Sequence, residues 1–360
     1  MTTVLPPRST DSGELDLPRQ LTKWGRDDTS ELIGSAVAGA CVAWLAFARL
    51  VPLQGAFGTA IMWFLSFLAI YAFVAAQHHG RLAAKDRVAT VLMTSTGALV
   101  VVLLVLIIGY VVVRGAPNLR WSFFTETLET TGGDAPSTSG GGLHSIVGTL
   151  QQVGIGLVIA LPLAMVTAIY LNEVGGRLAK PVRFVIDAMS GIPSIVAGLF
   201  IYAVYVRALG GGFSGFASAL ALSLLMLPTI TRTAVEMLRL VPDGLREAAL
   251  ALGAPRWKVT TMVVLPTARS GLVTAIILGV ARAVGETAPA ILTAFGASAL
   301  NLNPFSGAQD NLPLFVFRQA TSFKNSLVER AWTGAFVLIV MVLIAFVSAR
   351  LIGNRRGAHR

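Results

Sequence analysis

Arg282 stands inside the apolar run Leu272–Phe295. An arginine at the centre of a membrane-crossing helix costs about 2.5–3.5 kcal/mol on insertion scales, so it must be compensated or used. Glu286 follows four residues later, which on a helix puts both groups on one face; an internal ion pair then explains Arg282 as structure. The chemical reading is different. A guanidinium stays charged, and its fork of N–H donors matches the edge of a tetrahedral oxyanion. Arg232, at the end of another apolar run, is a second station of the same kind, with Glu286 keeping Arg282 from holding an anion too tightly.

A second constellation lies between those arginines. The stretch Val241–Lys258 reads helix, sharp turn, helix. Asp243 is placed to cap the first turn with its carboxylate. Leu245, Ala248, Ala249 and Leu252 recur at helical spacing and form a small apolar face. Gly253 suits the left-handed residue that ends a helix, and Pro255 can open the next. Leu265-Pro266 leads back into an apolar run. The pattern alone fits equally a helix docked on another protein and one resting on lipid headgroups.

The elements that position these residues are membrane helices. The chain has 360 residues, of which 54% are hydrophobic and 13% charged; soluble domains carry roughly 25% charged residues. Eight segments near the ~20-residue crossing length are predicted: Leu32–Leu50, Ala56–Ala76, Val88–Val113, Ile146–Leu171, Phe184–Val206, Gly215–Ile230, Leu272–Phe295 and Ala331–Leu351. The sixth holds Pro228 and is expected to continue as a longer, kinked helix. With both termini on one side, 20 Lys and Arg fall on that side and 7 on the other, with Arg282 within a span; the bias makes both termini cytoplasmic. The fold expected is an all-α polytopic transmembrane bundle. The glycine-rich loop Arg114–His144 should be slack.

Several functions are disfavoured by what the chain lacks. The net charge of +10 is distributed over short loops and not gathered on one soluble face, which argues for an orientation signal and against nucleic-acid binding. Cys41 is the only cysteine, and the four histidines (78, 79, 144 and 359) are scattered, so neither a disulfide nor a metal site is expected. No nucleophile–base pair suggests an enzyme. No Gly-x-x-x-x-Gly-Lys loop is present, so the chain has no ATPase site of its own, and no cofactor is expected.

The loop residues resemble the permeases of bacterial ATP-binding-cassette importers. Their motif reads Glu-Ala-Ala, three residues, Gly, nine residues, Ile, one residue, Leu-Pro. Glu247-Ala248-Ala249, Gly253 and Leu265-Pro266 match it, with Val263 in the isoleucine place. Further stretches are similar to phosphate permeases: Gly191–Phe200, Leu227–Thr233, Glu236–Pro242, and Arg282-Ala283-Val284-Gly285-Glu286-Thr287-Ala288-Pro289, whose final Ala-Pro favours the A subunit over the C subunit. The chain departs from that pattern at Ala234-Val235, where Thr-Glu is commoner.

The resemblance covers roughly Val88–Leu351. It implies a type I importer permease fold with two extra N-terminal helices, divided into a cytoplasmic tail 1–31, accessory helices and basic loop 32–87, a six-helix permease domain 88–352 containing the coupling loop 241–267, and a basic tail 353–360. It also implies a bacterial cytoplasmic membrane location and import of phosphate. The implied partners are two copies of a nucleotide-binding ATPase subunit, a C-type second permease subunit, an extracytoplasmic phosphate-binding protein and membrane lipid. Arg232 and Arg282 are implied as pathway residues, and Glu247–Gly253 as the helix that meets the ATPase. Import of another oxyanion and ion-coupled transport by the chain alone are the competing expectations.

Overall fold

The protein's structure, a computed structural model, describes residues 26–47 and 55–354. The expected cytoplasmic tail up to residue 25, the end of the first predicted span and the basic tail from 355 lie outside the described residues. Every regular element among the described residues is helical. The chain divides after Val105 into two compact units, each taken by itself.

The first unit contains α1 (Arg26–Leu45) and most of α2 (Ala56–Gly115). Sixty helical residues would extend about 90 Å, three bilayer thicknesses. The helix is broken at Gly80, whose φ of 82° and ψ of 165° suit a residue without a Cβ. The second half folds back, for Val91 packs in one core with Phe67 and Tyr71. Thus Arg81–Arg87, expected as a loop, is helical, and one glycine makes the reversal. Arg87 pairs with Asp28 and, at 3.1 Å, with Glu31, tying the start of α1 to the helix after the reversal.

The second unit begins with the end of α2, followed by the short α3 (Ser122–Thr125) and then α4 (Leu143–Ile169), which a π-helical turn extends to Val174. α5 (Ala179–Ser190) and α6 (Ser194–Ile201) precede α7 (Gly215–Arg239). The loop after α7 holds α8 (Asp243–Ala251), α9 (Arg256–Val259) and α10 (Leu265–Thr267), and leads into α11 (Arg269–Val284). α12 (Ala288–Thr293), α13 (Leu312–Ala320) and α14 (Asn325–Asn354) complete it.

α4 and α7 form its centre. Buried Ala160 and Ala164 on α4, four residues apart, let α7 approach until Leu222, Met226 and Ile230 fill the gap. Close packing of small residues is the main attraction available where lipid already solvates apolar surface. α7 runs past Ile230 to Arg239 without interruption despite Pro228, longer than its predicted span as expected.

Two predicted spans are not single straight helices. The fifth breaks at Gly191–Pro193, where α5 and the α6 segment differ in direction by 103°. The seventh ends as an α-helix at Val284, and α12 restarts after Glu286-Thr287. The proline at 193 has no N–H to continue the ladder, and Pro289 sits where a helix begins. Among the described residues four helices are long and apolar enough to cross a membrane, or six if each bent pair is one span; that count takes α2 as one helix and omits α1, so the eight predicted spans are not all recovered. The glycine-rich loop expected to be slack is anchored, with Gly142 N–H donating to Phe123 O at 2.8 Å and Leu143 N–H to Glu126 O at 3.1 Å.

Candidate functional site

α7 is mostly buried, yet Arg232, Glu236 and Arg239 on it are exposed and Thr229 and Thr233 are half-buried. Their spacing of three and four residues makes a single polar strip down one face. Arg282, on the last turn of α11, donates from Nη1 to Thr229 Oγ1 at 3.2 Å. One turn along, Arg232 lies 3.7 Å from Asp187 of α5. Arg239 donates to Glu236 at 3.1 Å. A cleft of about 410 Å³ opens here between α5 and α7, with Arg183, Arg232 and Arg239 set against Asp187 and Glu236.

The two arginines singled out by sequence therefore meet one strip, with Thr229 as the link. Glu286 does not join them. α11 ends before it, so four residues no longer mean one helical face, and among the described residues no ion pair joins Arg282 to Glu286. The internal pair that spacing offered as the alternative explanation of Arg282 does not form, because the helix ends first. Instead the Glu286–Pro289 stretch serves packing: a Cβ on Gly198 of α6 would lie 2.7 Å from Pro289 Cα, so the two motif segments cross at near contact. Ala234 and Val235 are buried in an apolar core.

The loop site forms as a helix and turn. Gly253 has φ +80° and ends α8 as expected. Glu247 and Ala248 are exposed, Ala249 is half-buried, and Leu245, Leu250, Leu252 and Trp257 present large apolar surfaces outward. Asp243 departs from expectation. Pro242 holds the cap position without a side-chain bond, and Asp243 Oδ1 accepts from Arg246 at 3.0 Å. Leu265 and Pro266 lie in the helical stretch 256–267, which bends by 73° into α11.

Arg246 is the loop residue that ties α8 to the rest of the unit. It turns inward. Nη2 donates to Glu173 Oε1 at 2.9 Å and to Leu238 O at 3.0 Å, and Nη1 donates to Val241 O at 2.6 Å. The hydrogen bond to Glu173, with the charges of Glu173 and Asp243, raises its pKa further above the ordinary guanidinium value, against the effect of burial. α8 is thereby fixed to the end of α7 and to the turn that follows α4.

A buried polar knot at the opposite end of α4 and α7 was missed in the sequence. Gln309, Asp310 and Asn311 are each no more than 3% exposed. Ser145 Oγ donates to Asp310 Oδ2 at 2.7 Å, Gln152 Nε2 to Gln309 Oε1 at 3.1 Å, and Asn311 Nδ2 to Gln152 Oε1 at 2.8 Å. Two marks in the sequence point to it. Gln151-Gln152 interrupts an apolar run, and Asn311 precedes Leu-Pro as a capping residue does; its Oδ1 accepts from Leu314 N–H. Among the described residues no cluster of metal-ligating side chains occurs.

Residues 160–357 match the family described as binding-protein-dependent transport system inner membrane component. The phosphate transport system permease protein PstA 1 of Mycobacterium tuberculosis is 40% identical over 278 residues, 76% of this chain and 90% of that protein. PstA of Pasteurella multocida is 38% identical over 242 residues, 67% of this chain and 84% of its own. A solved inward-facing structure of the MetNI methionine ABC transporter covers 60% of this chain and 94% of its own, at 22% identity and a TM-score of 0.44. The chain belongs to the family of binding-protein-dependent transport system inner membrane components, with the PstA permeases as its relatives.

Proposed function

We propose that this chain is the A-type permease subunit of an ATP-driven importer that passes inorganic phosphate into the cytoplasm of a bacterium. The observation that carries this reading is the strip on which Arg282 and Arg232 meet α7. Exposed arginines facing acyl chains would cost several kcal/mol, so the strip belongs against a polar passage closed by a second, C-type permease subunit. Along it, phosphate exchanges hydrogen bonds with Arg282 and Thr229 and then with Arg232, while Asp187 and Glu236 compete for the same cations and keep binding reversible.

ATP hydrolysis takes place in two copies of a separate subunit. Both termini and α8 face it from the cytoplasm, in keeping with the charge bias of the loops. The outward Leu245, Leu250 and Leu252 with exposed Glu247 suit a groove on that subunit, a small apolar core with a polar rim. An extracytoplasmic binding protein delivers the phosphate. ATP binding shifts the population of the bundle between its two openings, with α8 as the lever.

The test is uptake of labelled phosphate by liposomes holding the whole complex, its binding protein and ATP. Arg282→Gln should reduce uptake to background while the ATPase subunits still co-purify. Normal uptake by that variant contradicts the assignment of the path, and inhibition of uptake by excess sulfate contradicts the choice of phosphate.

A further inference from the structure

α11 and α14 enclose a groove with two unlike ends. Its mouth, about 410 Å³, is lined by Ser270 and Thr274 of α11 and by Arg350 of α14. Its depth, about 230 Å³, is walled by apolar side chains that include Val280, Val284, Val342 and Ala345. Ile277 and Phe346 line both parts, so polar mouth and apolar slot are continuous.

Each end asks for a different chemistry. The slot lies within membrane-crossing helices and offers no polar atom from those walls, which suits an acyl chain. Arg350 has no ion-pair partner among the described residues. It stands at the end of α14 near the first turn of α11, whose preceding residue Ala268 supplies no side-chain cap. A guanidinium beside a helix N-terminus favours a phosphate group. Basic pockets between helices at the cytoplasmic surface take anionic headgroups, each basic residue contributing about a fivefold preference.

We propose that this groove binds one anionic glycerophospholipid of the cytoplasmic leaflet, with an acyl chain in the slot and the phosphate against Arg350 and Ser270. The position has a consequence. The mouth adjoins Ala268, where the helical stretch 256–267 bends by 73° into α11, and α11 carries Arg282 at its other end. A lipid there braces the joint between the loop and the strip on α7.

The assembled complex, extracted in native nanodiscs from membranes of phosphatidylglycerol and phosphatidylethanolamine, is examined by native mass spectrometry. One phosphatidylglycerol should remain bound to this chain, in preference to phosphatidylethanolamine. Arg350→Gln should reduce its retention about fivefold, and Ala345→Phe, which fills the slot from an exposed position, should do likewise. Equal retention in wild type and both variants, or no preference between the two lipids, overturns the proposal. So does efficient cross-linking of Ala345→Cys to the second permease subunit, which would make the groove a protein interface. The readout is bound lipid, so failure here is distinct from failure of the phosphate reading.

Discussion

Arg246 grips Glu173, 73 positions earlier in the chain, through Nη2–Oε1 at 2.9 Å and Nε–Oε2 at 3.3 Å. Both groups are largely removed from solvent, and the same guanidinium also caps the carbonyls of Leu238 and Val241. A helix that moves with an ATPase can push on α4 and α7 only if it is attached to them. In the proposed coupling, this pair would be the attachment.

Removing one partner of a half-buried charged pair leaves the other without compensation. Arg246→Ala should therefore destabilise the loop by about 3 kcal/mol. In liposomes the complex should continue to hydrolyse ATP while phosphate uptake falls at least tenfold. Glu173→Gln, which keeps one acceptor oxygen, should show a smaller loss of uptake. Parallel loss of hydrolysis and uptake would mean that the pair serves assembly alone.

Gly253 occupies a left-handed conformation at φ +80°, which costs a residue with a Cβ about 1–2 kcal/mol and a β-branched one more. Gly253→Val should unseat the end of α8 and reduce co-purification of the ATPase subunit. Gly253→Asn, which tolerates the same conformation, should retain it. Pull-down yields from membranes check both.

Asp187 is the counter-charge of Arg232. Asp187→Asn should let the cleft hold phosphate longer, lowering both KM and maximal uptake rate by about two- to fivefold, the range of an exposed ion pair. A purely structural role would instead lower the rate and leave KM unchanged.

Burial pushes Asp310 up to about 6, even though the Ser145 hydroxyl, the Arg318 charge and the Asn311 N–H all act in the opposite direction. The folded state therefore binds this proton more tightly than the unfolded one. The group's stabilising contribution is complete below about pH 4 and is lost as pH rises through 6, by about 3 kcal/mol in all. Thermal melting of the purified complex between pH 4 and 7 should show the wild type losing stability relative to Asp310→Asn as pH rises.

Gly148 of α4 lies directly under the backbone of Asp310, where an added Cβ would be 1.9 Å from the carbonyl oxygen. Gly148→Val should displace the 309–311 segment and lower the melting temperature by several degrees. Wild-type melting would show that the segment yields without cost.

The helices and the loop were legible because they rest on local rules. Length and apolarity mark a crossing helix, and Glu-Ala-Ala followed by glycine gives a helix and its left-handed end, as Gly253 bears out. Less was legible where a helix stops. Arg282 and Glu286 are four apart whatever the backbone does, and only the end of α11 at Val284 separates their faces. Asp243 likewise has a capping residue's type, but Arg246 offers its carboxylate a stronger, charged donor.

By itself, then, the sequence determined an apolar helical bundle, the loop with its helix and turn, and the presence of one arginine, Arg282, within a span that lipid would not tolerate alone. Each follows from composition or from residues within a turn or two of one another. Only the tertiary structure decided that Arg282 meets Thr229, that Arg246 meets Glu173, and that Gln152 and Asp310 share one buried knot. The reason is that α4, α7 and α11 pack through small residues, and their rotation about their own axes selects which polar groups face each other. That rotation is set by the sum of many apolar contacts, none of which is written at the polar positions it brings together.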